Sequence, residues 1–261
     1  MTNIQFNSGA IDAGACFSGA WEQIKLRYGL YLGATILAGI LCYYLYCISW
    51  ILFGPVMAGV FLIALRDMRE EPVEFGMLFK GFDKFLPLMI VGLIQSIPQI
   101  IMQMIGLFAN FAQFALLGLG GNQRDFQSRP DMNMLSAFLG IFIVVALIIF
   151  VFSLVWYVIF FFAIPIALEH DVPALEAIKL SARAGMANIG GIIVFMIFQF
   201  LVALLGVLML CVGVLLISLP VTMVAAAFAY RQVFPYIGGR ITNLDPPPPG
   251  EYGFQAGGQY T

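Results

Sequence analysis

The feature that most constrains this chain is a set of four long stretches without a charged residue. They cover residues 28–65, 85–123, 132–168 and 184–230, and each is at least 37 residues long. A helix needs about 20 apolar residues to cross a bilayer, so every stretch is long enough to cross at least once. A charge at the bilayer centre costs about 2.5–3.5 kcal/mol on insertion scales, which explains why all charges lie between or outside the stretches.

The composition agrees with a membrane protein. Hydrophobic residues make up 62% of the chain and charged residues 10%, whereas a soluble domain carries about 25% charged residues. The net charge of −2 and the scattered basic residues argue against a nucleic-acid partner. We therefore predict an all-α fold, a polytopic membrane helix bundle with about six transmembrane helices.

Turn residues and aromatic residues divide the stretches into spans. Gly54-Pro55 and the Tyr and Trp residues before it indicate a hairpin tip, and Pro98 predicts a kink. Residues 141–164 contain no Gly or Pro, so the stretch 132–168 is predicted to be one long helix. A turn between Cys211 and Gly213 is expected to divide the last stretch. The predicted spans are 29–48, 50–66, 86–117, 135–166, 188–209 and 212–231.

The basic residues predict the orientation. With both termini in the cytoplasm, ten Lys and Arg residues are cytoplasmic and two are external, which satisfies the positive-inside rule. The external residues are Arg124 and Arg129. The cytoplasmic ones are Lys25, Arg27, Arg66, Arg69, Lys80, Lys84, Lys179, Arg183, Arg231 and Arg240. Residues 1–28 are predicted to be a cytoplasmic amphipathic segment, and residues 29–235 the transmembrane domain.

Two cytoplasmic loops are predicted to carry interfacial amphipathic helices, one after Pro72 and one opened by Pro173. The first carries Lys80 and Lys84, and the second carries Lys179 and Arg183. We hypothesise that these four cations bind phospholipid head groups, because cations are attracted to an anionic leaflet. The alternative is that they are ordinary positive-inside charges.

The third predicted span carries five amide side chains within an arc of about 80° on one helix face. They are Gln95, Gln99, Gln103, Asn110 and Gln113. Unpaired amides are penalised in hydrocarbon, so this polar face is expected to meet other helices or a wet cavity. Interhelical hydrogen bonding is the favoured interpretation, and the lining of a substrate path is the alternative.

The tail, residues 236–261, contains Pro246–Pro249 followed by a Gly-, Gln- and Tyr-rich segment. It is predicted to be disordered and cytoplasmic. It is either a solvated end or a ligand for a proline-binding protein partner.

The sequence contains no known catalytic, metal-binding or nucleotide-binding motif. One histidine, His170, cannot build a multi-histidine metal site, and the four cysteines form no CxxC pair. We expect no cofactor, no metal site and no enzymatic activity.

Short motifs resemble those of a known group of membrane proteins. They include Ala20–Lys25 before the first span, Gly54-Pro55, Leu78–Phe82, Ala174–Ala177 and Ala229–Arg231. Together they resemble a family of uncharacterised bacterial inner-membrane proteins, similar to the membrane domain of some glycerophosphoryl diester phosphodiesterases. The resemblance covers about residues 6–235 and implies a six-helix bacterial inner-membrane protein. It does not imply phosphodiesterase activity, because that chemistry belongs to a separate soluble domain.

These observations predict a non-enzymatic integral inner-membrane protein that organises lipids or partner proteins in envelope homeostasis. The alternative function is a permease or channel for a small neutral or apolar solute. The two functions differ in whether the amide face is dry or lines a cavity.

Overall fold

The structure is a computed structural model that describes residues 4–44, 49–118, 132–170, 172–209 and 212–235. Every regular element in these ranges is helical. Ten α-helices occur in the order α1 (Ala13–Leu26), α2 (Tyr28–Tyr44), α3 (Ser49–Asp67), α4 (Phe85–Gln95), α5 (Ile97–Gly118), α6 (Met132–Phe160), α7 (Ala163–Glu169), α8 (Ala174–Ala187), α9 (Ile189–Leu208) and α10 (Leu219–Val233). A 3-10 helix (Phe75–Lys84) precedes α4, and a π-helical segment (Val214–Ser218) precedes α10.

Four helical segments are long and apolar enough to cross a membrane. They are Ser49–Asp67, Ile143–Glu169, Ile189–Leu208 and Val214–Val233. The number rises to six if each of two bent helix pairs forms one span. The prediction of an all-helical chain with several apolar spans is therefore confirmed, with four to six candidates.

The two bent pairs differ in sharpness. The axes of α1 and α2 are bent by 106° at Arg27, so α1 runs across the direction of α2. The second bend, of 53°, separates α4 from α5 at Ser96. Pro98 explains the second bend, because its nitrogen cannot donate to the carbonyl of Ile94 and its ring crowds that carbonyl.

The predicted long helix over residues 132–168 is interrupted. It breaks at Phe161 and Phe162, between α6 and α7, although neither residue is a Gly or a Pro. Ser181 of α8 stabilises the break. Its hydroxyl donates to the carbonyl of Ile159 at 2.6 Å and accepts from the backbone nitrogen of Phe162 at 3.1 Å.

The segment predicted as the first amphipathic helix forms ten residues of 3-10 helix packed along α3. Positions three apart share one side of such a helix, and Leu78 and Gly81 on that side are buried. A Cβ atom on Gly59 would lie 2.0 Å from the carbonyl oxygen of Leu78. The two backbones therefore touch, and the glycines make this approach possible.

The N-terminal segment is held against the far end of the chain. Asn188 accepts a hydrogen bond from the backbone nitrogen of Ala10 and donates to the carbonyl of Asn7. Asn7 donates in turn to the carbonyl of Val233. The proline-rich tail, together with Arg124 and Arg129, lies outside the described residues.

Burial is concentrated at one end of the bundle. Much of the buried core comes from the second half of α3, from α7 and from α10. By contrast, the side chains of Ile143–Val145 and Leu147–Phe152 on α6 are exposed, as are those of Leu204 and Leu205 on α9. The bundle is therefore packed at the end that carries Arg66, Glu169 and Arg231, and it is spread apart at the other.

Candidate functional site

A cavity of about 220 Å³ lies between α3, α4, α6, α7, α9 and α10. We call it the central cavity. It is lined by Phe53, Met57, Phe61, Gln95, Tyr157, Phe160, Phe161, Ile164, Phe195, Gln199, Leu219, Thr222, Met223 and Ala226. Most of these side chains are aromatic or aliphatic, and none of them is charged. The cavity therefore suits an uncharged, largely apolar occupant.

The polar side chains of the central cavity are partly paired with each other. The hydroxyl of Tyr157 donates to Oε1 of Gln199 at 2.9 Å. Thr222 uses its hydroxyl within its own helix, donating to the carbonyl of Ser218 at 2.8 Å. The Oε1 atom of Gln95 is buried and has no hydrogen-bond partner among the described residues. This atom is closed off from the cavity by its neighbours, so Tyr157 and Gln199 are the polar pair through which the cavity can orient an occupant.

A second cavity, of about 190 Å³, lies beside the first. It is lined by Cys42, Ser49, Trp50, Phe53, Ser96, Gln99 and Gln103. Ser96 donates its hydroxyl to the carbonyl of Gly92 at 2.8 Å, where the chain bends between α4 and α5. The second cavity is thus placed by the bend that Pro98 causes, and Phe53 lines both cavities.

Two rows of side chains run along the cavities. On α3 the row is Ser49, Phe53, Met57 and Phe61, and on α4 and α5 it is Gln95, Gln99 and Gln103. Both rows repeat every four residues, which places the members on α3 along one helix face. In the amide row Gln95 lies at the end of α4, and Gln99 and Gln103 lie beyond the bend on α5. Three amides of the predicted polar face therefore lie against cavities.

The structure describes the side chain of only one of the other two amides of that face. Asn110 is exposed on α5, and the side chain of Gln113 lies outside the described residues. The hydrophobic neighbours of Asn110 are also exposed, including Phe108 and Phe111. The cavity-lining part of the face ends at Gln103 among the side chains that the structure describes.

The four cations predicted to bind lipid head groups have different surroundings. Lys84 donates from Nζ to the carbonyl of Leu168 at 3.0 Å, at the end of α7. Lys80 is half-buried on the 3-10 helix, whereas Lys179 and Arg183 are exposed on α8. Lys84 therefore ties the 3-10 helix to α7, and a head-group role for the four residues stays a prediction.

A larger groove of about 460 Å³ lies between α1, α9 and α10. Its lining includes Phe17, Trp21, Leu205 and Met209. The hydroxyl of Ser218, which also lines it, already donates to the carbonyl of Val202 at 2.7 Å. The groove is apolar and offers less to fix the orientation of a ligand than the central cavity does.

Two carboxylates, those of Glu169 and Asp67, form hydrogen bonds between helices at the packed end of the bundle. Glu169 accepts from the hydroxyl of Tyr230 and pairs with Nη2 of Arg231 at 2.8 Å. Asp67 accepts from the hydroxyl of Tyr31 at 2.7 Å and from Nε2 of Gln23 at 3.0 Å. These hydrogen bonds join α7 to α10 and α3 to both α1 and α2, so they close this end of the bundle.

No group of three or more His, Cys, Asp or Glu residues is arranged to hold a metal ion in the described part of the chain. Glu169 and His170 lie at the end of α7 and line none of the three cavities described above. His170 packs beside the ring of Phe234, with ring centroids 6.5 Å apart.

Sequence reasoning did not single out Tyr157, Gln199 or Thr222. A signal was present for Gln199, which is the only amide in the 20 residues of α9. A lone polar residue in an apolar span carries a desolvation cost and is expected to face a partner. Tyr157 gave no such signal, because a tyrosine in an aromatic-rich helix is also typical of simple packing.

No protein-family model, no curated protein and no solved structure matches this chain.

Proposed function

We propose that this chain is a non-enzymatic integral protein of the bacterial inner membrane that binds a neutral lipid between its helices and organises lipids in the envelope. The observation that carries the proposal is the central cavity. It combines an aromatic and aliphatic lining with the side chains of Gln95, Tyr157 and Gln199. Such a lining binds an apolar body and orients it through a few polar contacts.

The shape of the bundle supports access from the lipid phase. The central cavity is partly open, and exposed apolar side chains of α5, α6 and α9 surround the spread end of the bundle. In a bilayer these side chains face hydrocarbon. An apolar molecule can therefore pass between lipid and cavity without crossing a charged surface.

The cavity lining supports binding rather than catalysis. Among the described lining residues there is no carboxylate, imidazole, amine or thiol. Acid–base and nucleophilic catalysis most often use such groups. The two hydroxyls of the lining are engaged, that of Tyr157 with Gln199 and that of Thr222 with the carbonyl of Ser218. The amides and hydroxyls offer hydrogen bonds instead.

The orientation and the location belong to the same proposal. We propose six spans with both termini in the cytoplasm, supported by ten cytoplasmic and two external basic residues. The 3-10 helix and α8 then lie towards the cytoplasmic leaflet as interfacial helices. The inner-membrane location is supported by the resemblance of the motifs described above.

Native mass spectrometry of the full chain in mild detergent tests the proposal. We expect the wild-type protein to retain an uncharged lipid, and the Gln199→Leu and Tyr157→Phe variants to retain clearly less. Asn110→Leu is the matched control, because Asn110 is exposed on α5 and does not line a cavity. Equal retention by wild type and cavity variants, or no retained lipid in wild type, would contradict the proposal.

The second candidate is a permease for a small neutral or apolar solute. It is favoured by the two neighbouring cavities, each with amide side chains and no charged ones. Stopped-flow light scattering on proteoliposomes exposed to glycerol or erythritol distinguishes the two functions. Rapid solute entry that Gln199→Leu slows would favour the permease, and entry at the rate of empty liposomes would favour lipid binding.

A further inference from the structure

We propose that the central and second cavities are two parts of one elongated site for a single-chain, uncharged amphiphile, with Phe53 as the partition between them. The proposal rests on the lipid-binding function and specifies its ligand. The head group of this ligand carries hydrogen-bond donors.

The arrangement along α3 gives the site its length. Ser49 lines the second cavity, Phe53 lines both, and Phe61 lines the central cavity. At a rise of 1.5 Å per residue, the distance from Ser49 to Phe61 along the helix is about 18 Å. This length suits an extended alkyl chain better than a compact solute.

The position of Phe53 identifies it as the partition. Among the described residues, Phe53 is the one that lines both cavities. Its side chain is half-buried. The ring lies beside Gly92, where an added Cβ atom would be 3.5 Å from Cδ1 of Phe53. The ring therefore packs against Gly92, and rotation of the ring about its side-chain torsions is the movement that would join the two cavities.

The absence of charge determines the class of head group. None of the described side chains that line either cavity is an acid, a lysine, an arginine or a histidine. A phosphate or carboxylate placed among them would lose its hydration without gaining a counter-charge. The preferred head group is therefore neutral.

The amides determine the hydrogen-bonding character of that head group. Oε1 of Gln95 is fully buried, so the carboxamides that a head group can meet directly are those of Gln99 and Gln103, which line the second cavity. Each carboxamide offers a carbonyl acceptor and N–H donors. A head group with hydroxyl or amide groups, which both donate and accept, is matched to them.

Photocrosslinking to the full chain in nanodiscs tests the site. The probe is a monoacylglycerol with a diazirine in its acyl chain, and the charged comparison is a diazirine fatty acid of the same length under alkaline conditions, where its carboxylate is ionised. We expect saturable labelling by the monoacylglycerol at peptides that contain Met57, Phe61 or Phe195. We expect the fatty acid to compete poorly.

Variants test each part of the proposal. Gln95→Leu removes an amide group from the lining of the central cavity and is expected to weaken monoacylglycerol binding by up to about tenfold, the effect of one lost hydrogen bond. Phe53→Trp fills the partition and is expected to reduce labelling, whereas Phe53→Ala joins the cavities and is expected to keep or increase it. Phe108→Trp on the exposed face of α5 and Asn110→Leu are the matched controls.

The outcomes separate this site from the function on which it rests. Labelling that is not saturable, or that the fatty acid competes equally well, would overturn the proposed ligand class. If Gln199→Leu reduced lipid retention but Phe53→Trp and Gln95→Leu did not, the two-part site would be overturned and lipid binding would stand. If wild type retains no lipid in the native mass spectrum, the proposed function itself fails.

Discussion

Gly54 of α3 and Gly92 of α4 are in direct backbone contact. A Cβ atom added to Gly92 would lie 2.6 Å from the nitrogen and 2.7 Å from the Cα atom of Gly54. Small residues allow membrane helices to approach this closely, and the gain is van der Waals packing of two backbones. This contact fixes the separation of α3 and α4, whose side chains line the central cavity.

The contact predicts that Gly92→Ala destabilises the protein. The methyl group has no space because the atoms that it meets are backbone, so the helices must separate, at a cost of about 1–3 kcal/mol. We expect a lower unfolding temperature in detergent, measured by intrinsic fluorescence. Gly106→Ala is the control, since nothing lies within 4 Å of an added Cβ there. If the two variants unfolded at the same temperature, the contact would be refuted.

The ion pair between Glu169 and Arg231 predicts a larger loss of stability. The side chain of Glu169 is 8% exposed and that of its partner Arg231 is 16% exposed. Glu169→Gln removes the negative charge beside a largely buried guanidinium, and breaking a buried pair in this way costs about 3–5 kcal/mol. We expect poor recovery of folded protein, or early unfolding on size-exclusion chromatography after heating.

Glu22→Gln is the control for this experiment. Glu22 pairs with Lys25 at 2.7 Å, but the side chains of Lys25 and Glu22 are 47% and 72% exposed. An exposed pair contributes only about 0–1 kcal/mol. If Glu22→Gln lowered the stability of the protein as much as Glu169→Gln does, burial of the ion pair would not explain the loss of stability.

Cys16 is predicted to resist thiol reagents in the folded protein. The residue is fully buried in α1. Burial, with a smaller contribution from the Asp12 carboxylate, raises the pKa of its thiol to about 12. The reactive thiolate is therefore scarce at neutral and mildly alkaline pH.

Maleimide labelling tests the low reactivity of the Cys16 thiol. The variant used keeps Cys16 and replaces Cys42, Cys47 and Cys211 with alanine. We expect labelling only after denaturation with detergent and heat. The Ser18→Cys variant in a background without other cysteines is the control, because Ser18 is exposed two residues away. If the Ser18→Cys control and the variant that keeps Cys16 were labelled at equal rates under native conditions, the burial of Cys16 would be contradicted.

The long-range pattern of charge predicted the helical elements well. The predicted span 50–66 corresponds to Ser49–Asp67, and 188–209 corresponds to Ile189–Leu208. Such boundaries can be predicted from the sequence because the cost of a charge in hydrocarbon keeps Arg66 and Arg183 away from the centres of the spans. The kink at Pro98 can also be predicted, because it is caused by the covalent ring of the proline itself.

The features that the sequence did not predict depend on contacts between distant residues. The break at Phe161 and Phe162 needs the hydroxyl of Ser181, and the long 3-10 helix needs the close approach of Gly59. The amide pattern predicted that Gln95, Gln99 and Gln103 share one side of a helix, whereas the bend at Ser96 places Gln95 on α4 and the other two on α5. It could not predict that Phe53 lines both cavities or that Tyr157 lines the central one, because neither belongs to a local pattern.

The proposed topology is tested by labelling single cysteines from one side of the membrane. Asn3→Cys and Asp245→Cys are expected to react with a membrane-impermeant maleimide only in inverted vesicles, and Asp125→Cys only in intact spheroplasts. The reason is the positive-inside rule, under which the proposed topology places Arg124 and Arg129 outside and the ten other basic residues in the cytoplasm. If Asp125→Cys reacted only in inverted vesicles, the six-span scheme would fail. A count of five spans would then return to consideration, with α4 and α5 as a re-entrant pair bent by 53°.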